Sequence, residues 1–168
     1  MIVEDIAKYF VGDHRRLESL LERSFHSPDS IDLDAYGEFR KGLLRHIALE
    51  EKILFPQLAG IGNGEPFPGV NILRLEHGAL AALLVHSPTE NIHRALATIL
   101  NTHNAAEERT GGMYAACRHL ESAVSSKLGE KLDRYPPVPV SPYNDKPGVL
   151  EAAERALARA GYSGIRLI

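Results

Sequence analysis

Four segments of this 168-residue chain have the apolar periodicity of amphipathic helices, and each has a histidine where the stripe calls for a large apolar residue. The first stripe reads Ile6, Phe10, His14, Leu17, Leu21. The second reads Phe39, Leu43, His46, Glu50, Leu54, Leu58. The third is Leu73, His77, Leu80, Leu84, and the fourth Ile92, Leu96, Ile99, His103, Glu107. In the second and fourth a glutamate follows four residues after the histidine, so both side chains share one helix face.

A carboxylate buried without a partner costs several kcal/mol and would sooner stay protonated. Two of them in one core also repel each other. A bound cation removes both penalties, and histidine nitrogen with carboxylate oxygen is a donor set that suits iron, manganese or zinc. A lone core histidine is usually just hydrogen-bonded, and one HxxxE pair arises easily by accident. Four interrupted stripes, two with glutamate at the same offset, point to a metal site built between facing helices. At a rise of about 1.5 Å per residue, the four histidines fall at levels a two-metal cluster can span. His26, His86, His93 and His119 fall off the stripes and are expected in solvent. Cys117 lies near the fourth stripe and reads as a small buried hydrophobe.

The helices are expected at about 3–24, 33–59, 70–85 and 92–132, with Asp32 or Asp34 as the second N-cap and Thr89 as the fourth. Pro28 and the glycines and prolines of 60–69 mark loops. Gly111 and Gly112 interrupt the last helix and predict a kink or local unwinding. The fold class is therefore all-α, an antiparallel up-down-up-down four-helix bundle over 1–132. Residues 133–168 form an extension, in which the proline-rich YPPVPVSPYNDKP leads into a short amphipathic helix at about 149–160, stopped by Gly161. That helix is suited either to packing on the bundle or to self-association.

Charged residues are 24% of the chain and the net charge is −3, with no basic stripe, so neither nucleic acid nor an anionic membrane is expected as a partner. Cys117 is the single cysteine, which rules out an intrachain disulfide and suits a reducing compartment. MIVEDIAKYF lacks the basic-then-apolar pattern of a signal peptide, and no apolar run reaches the length of a membrane span. Cytoplasm is the expected location. No further acid–base pair or substrate motif stands out, which leaves catalytic turnover open.

The segments DHRRLESLL (13–21), HIALEEKILFPQL (46–58), LRLEHGAL (73–80) and HNAAEER (103–109) resemble the hemerythrin-like HHE cation-binding family, over about residues 1–132. The resemblance implies a non-haem di-iron centre with a bridging oxo or hydroxo group. His14, His46, His77 and His103 would be its terminal ligands, and Glu50 and Glu107 its bridges. The adjacent Glu51 and Glu108 are turned by about 100° and are expected to face outward. Oxygen-carrying members use a fifth histidine one turn from the third-helix ligand, where this chain has Leu73 and Ala81. Two six-coordinate metals have twelve positions. Two bridging carboxylates, four histidines and one bridging oxygen fill ten, leaving two open. The chain also departs from the family after Glu107, where RTGGMYAACRHL places Met113 and Tyr114 beside the expected opening.

Open positions imply a protein that binds or reacts with a small oxidant, such as dioxygen, peroxide or nitric oxide. The alternative is an iron sensor or store whose metal occupancy controls stability or partner binding. A metal-free helical interaction module with a buried polar network is the remaining reading.

Overall fold

The helices begin where the sequence supplies a cap. Asp5 accepts from the Lys8 amide at 2.9 Å, Asp32 from the Ala35 amide at 2.9 Å, and Thr89 Oγ1 from the Ile92 amide at 3.2 Å. Asp32, not Asp34, is therefore the second cap. The computed structural model describes residues 5–26, 30–61, 64–118, 120 and 122–168. The expected helix start at residue 3, the loop proline Pro28 and the off-stripe His119 lie outside these residues.

The chain is all-helical. α1 spans Ile6–Ser24 and α2 spans Leu33–Leu49. A π-helical turn, Glu50–Leu54, continues α2 directly into α3, Phe55–Ile61. α4 is Val70–Leu83 and α5 is Glu90–Glu108. The short α6, Met113–Cys117, precedes α7, Ser122–Arg134, and α8, Pro147–Arg159. α1 packs against α2, α5 and α6, and α4 packs against α5 and α8. No helix among the described residues is long and apolar enough to cross a membrane.

The expected long fourth helix is corrected: it is three helices. α5 stops at Glu108, and Gly111 takes a left-handed conformation at φ +78°. A Cβ on Gly112 would lie 2.5 Å from the Glu107 carbonyl oxygen, so only glycine fits this turn. The chain then resumes as α6, which packs on α1 and α5.

Two apolar clusters make up the core. One contains Leu17, Leu21, Phe39, Leu43, Leu80, Ile92, Leu96 and Ile99. The other contains Ile6, Phe10, Leu49, Leu54, Leu58, Leu73, Met113 and Tyr114. The stripe residues expected to be buried are all buried. The histidines and glutamates of those stripes come between the two sets in sequence, as one polar layer.

The extension packs on the chain through α8, whose Ala153, Ala156 and Leu157 join the first cluster. Its proline-rich connector is strapped down by polar contacts. Buried Arg40 donates to the carbonyl oxygens of Leu84 at 2.6 Å and Ser141 at 2.7 Å, and its guanidinium lies 4.4 Å from the Tyr143 ring centre. Asp145 accepts from the Ser87 amide at 2.8 Å.

Candidate metal centre

All six residues singled out by the stripes meet in one buried layer. His14 comes from α1, His46 from α2, Glu50 from the π-helical turn, His77 from α4, and His103 and Glu107 from α5. Glu50 and Glu107 are fully buried. The side chains form two groups of four. His14, His46, Glu50 and Glu107 make one, and His77, His103, Glu50 and Glu107 the other; within each, the ligand-type atoms lie within 4.8 Å of one another. Both glutamates belong to both groups.

The Nε2 atoms face inward. They are 3.1 Å apart in the His14–His46 pair and 3.2 Å apart in the His77–His103 pair. Each Nδ1 faces a carboxylate instead. His14 donates to Glu108 at 2.7 Å, His46 to Asp13 at 2.9 Å, His77 to Glu51 at 2.9 Å, and His103 to Glu76 at 2.8 Å. A carboxylate in that position fixes the Nδ1–H tautomer and leaves the inner nitrogen's lone pair for a cation. Each of these acids neighbours a site residue in sequence yet serves the histidine of another helix. Asp13 of α1 reaches α2, Glu51 reaches α4, Glu76 of α4 reaches α5, and Glu108 of α5 returns to α1, closing a ring.

Glu51 and Glu108 therefore do not simply face outward, as their helical phase suggested. They lean back against His77 and His14 while Arg74 and Arg15 hold their outer oxygens. The π-helical turn, whose wide loop closes with the Phe55 amide on the Glu50 carbonyl, presents Glu50 and Glu51 to the same layer.

The layer's electrostatics favour a cation. Burial and the Glu50 charge push the Glu107 carboxyl up to about 8. Burial works the same way on Glu50, but His46 and His77 outweigh it and hold Glu50 well below the usual carboxylate range. Burial opposes charge on His46 and His77, yet Glu50 with Asp13 raises the first to about 10, and Glu50 with Glu51 raises the second to about 9. Burial and the charge on His46 depress His14. Glu50 Oε2 and Glu107 Oε1 accept no hydrogen bond, although imidazole nitrogens stand 3.1 and 3.4 Å away. Two buried carboxylate oxygens without a donor, surrounded by imidazole nitrogens, fit a metal cation.

Tyr114 is the site residue that the stripes do not show. Its hydroxyl lies 2.5 Å from Glu50 Oε1, 3.1 Å from Glu107 Oε2, 3.1 Å from His14 Nε2 and 3.5 Å from His46 Nε2. Phe10 stacks on its ring at 5.3 Å. Beside the layer is a cavity of about 10 Å³, lined by Leu17, Leu43 and Leu100 and by His14, His46 and His103. That is room for about one water-sized molecule.

Of the off-stripe histidines, His26 is exposed. His86 and His93 are half-buried rather than solvated: His86 bonds the Ser87 carbonyl at 2.8 Å, and His93 stacks on Phe25 at 4.2 Å. Cys117 is buried, which pushes its thiol up to about 12.

Compared with known families, residues 5–115 match the one described as Hemerythrin HHE cation binding domain. No curated protein and no solved structure matches the chain.

Proposed function

The chain belongs to the hemerythrin HHE cation-binding domain family, and from that premise we propose that it is a non-haem di-iron protein that binds or reacts with a small oxidant. The observation that carries this reading is the pair of four-donor groups sharing Glu50 and Glu107. His14 and His46 would hold one ion, His77 and His103 the other, and the two carboxylates would bridge them, with an oxo or hydroxo group completing the pair. In this reading α1, α2 with α3, α4 and α5 are the four antiparallel members of the bundle. When bound, iron supplies a redox-active Lewis acid.

The protein's own contribution is positioning. The four outer carboxylates fix the imidazoles, and the apolar clusters exclude water. The 10 Å³ cavity beside the histidines favours a ligand of a few atoms over a larger substrate. The test is the visible spectrum of the iron-loaded protein exposed in turn to dioxygen, peroxide and nitric oxide. A change with at least one of them is expected, and no change with any would refute the proposal.

A second reading, an iron sensor, is favoured by one observation. Tyr162, in the extension, donates to Glu76 at 2.7 Å, and Glu76 holds His103. Metal occupancy would then be felt in the tail. Equal protease sensitivity of the tail with and without iron would exclude this reading.

A further inference from the structure

Resting on the di-metal reading, we propose that Tyr114 is a seventh protein ligand, the apical donor to the His14–His46 metal position, and that it makes the two positions inequivalent. The four donors of that position lie within 4.8 Å of one another. Neighbouring pairs are 3.1 Å apart for His14–His46, 3.4 Å for His14–Glu107 and 3.5 Å for His46–Glu50. Corners of such a ring lie roughly 2.3 Å from its middle, close to the 2.0–2.2 Å of metal bonds to nitrogen and oxygen.

The phenol oxygen is not at that middle. It is 2.5 to 3.5 Å from all four atoms, too far from opposite corners of the ring to lie between them. It stands off to one side, where the apex of a square pyramid belongs. Neighbouring ligands around a six-coordinate ion with such bonds are about 3 Å apart, which matches these separations.

The oxygen is also held in place. Phe10 stacks on the ring, and the tight Gly111–Gly112 turn sets the start of α6, which packs on α1 and α5. Among the described residues no phenol stands at the His77–His103 position; there Phe55 stacks on the His77 ring at 5.7 Å. Four histidines, two bridging carboxylates and a bridging oxygen leave two positions open, one per metal. Tyr114 fills the first and leaves the second, on the His77–His103 metal, for an external ligand. As the metal–oxygen bond forms, the phenol O–H bond breaks and its proton leaves to solvent.

The experiment uses the full chain loaded with iron in air. A phenolate-to-iron charge-transfer band is expected in the visible spectrum, with resonance-enhanced phenolate vibrations in the Raman spectrum. Both should vanish in Tyr114→Phe at unchanged iron content by elemental analysis. Two irons bound with no phenolate vibrations, or vibrations that persist in Tyr114→Phe, overturn this inference and leave the di-metal reading standing. No uptake of any cation by the wild type overturns both. Should Tyr114→Phe fail to fold, a crystal of the zinc-loaded wild type decides: a zinc–phenol oxygen distance of about 2.0–2.2 Å supports the assignment, and one beyond about 3 Å overturns it.

Discussion

Tyr162 reaches Glu76 from outside the family match and donates to its Oε1 at 2.7 Å, while Oε2 of the same carboxylate accepts from His103 at 2.8 Å. The extension thus completes a three-residue relay ending on a candidate metal ligand. Tyr162→Phe removes one hydrogen bond to a charged acceptor, and the carboxylate gains freedom to turn away from His103. Such a bond is worth about 1.5 kcal/mol, so metal affinity should fall by roughly tenfold or less. Competition titration against a chelator reads this directly, and unchanged affinity would show that the tail does not support the site.

The ring of Asp13, Glu51, Glu76 and Glu108 should matter more than Tyr162, because each acid touches an imidazole. Losing a carboxylate that orients a metal-bound histidine costs about 10–100-fold in affinity. Asp13→Ala and Glu108→Ala should each fall in that range, and Asp13→Asn should lose less than Asp13→Ala, since an amide oxygen still accepts from His46. Glu50→Ala or His103→Ala should release metal altogether. His93→Ala should leave metal content unchanged, because His93 packs on Phe25 away from the layer.

How much of this was legible in sequence follows from which signals are periodic. The six inward residues replace apolar ones at helical spacing, so both the all-helical fold and the meeting of these side chains in one buried layer could be read from the stripes. The outer carboxylates could not be paired that way. Asp13 sits beside His14 in sequence but holds His46, and Glu76 sits beside His77 but holds His103. A cross-helix pairing depends on rotation and offset between helices, which spacing along one helix does not encode. Glu51 lies in a π-helical turn, where a 3.6-residue period misplaces side chains. Tyr114 was visible only as a residue near a glycine pair. Its entry into the layer depends on the tight turn at Gly111–Gly112, which sequence marked as a break without giving its geometry.

The charge states give a pH dependence whose sign can be fixed. In the metal-free fold His46 and His77 titrate at about 10 and about 9, above their ordinary 6.5. A raised histidine stabilises the fold below its unfolded value, and that contribution is lost as pH climbs through 9 to 10. Glu107, raised from 4.5 to about 8, acts in the same direction, its contribution fading between those values. Glu50 is lowered and acts oppositely, contributing above 4.5 and losing that contribution in acid. Depressed His14 and His93 act oppositely up to their ordinary 6.5, so the metal-free protein should lose melting temperature from about pH 6.5 to 9. A cation replaces the protons on these groups, so the loaded protein should show a flatter profile and the gap between the two should widen with pH. Melting curves of chelator-treated and iron-loaded protein at several pH values check this, and a gap that narrows toward pH 9 contradicts it.

The turn that delivers Tyr114 can be tested without touching any donor. A Cβ on Gly112 would meet the carbonyl oxygens of Glu107, Ala106 and Arg109 at 2.5, 2.8 and 2.9 Å, all backbone atoms that cannot simply rotate away. Gly112→Ala must therefore open the turn, at about 1–3 kcal/mol for overpacking. For a chain of this length that is a drop of roughly 2–12 °C in melting temperature. Because this turn also sets where α6 starts, the same substitution should weaken the phenolate signature of the iron form while His14, His46, His77 and His103 still bind metal. Gly148→Ala is the control: a Cβ there meets nothing within 4 Å, and the position is helical. It should leave both the spectrum and the melting temperature near wild type, or raise the latter slightly. Equal effects from the two substitutions would show that the Gly112 turn does not position Tyr114.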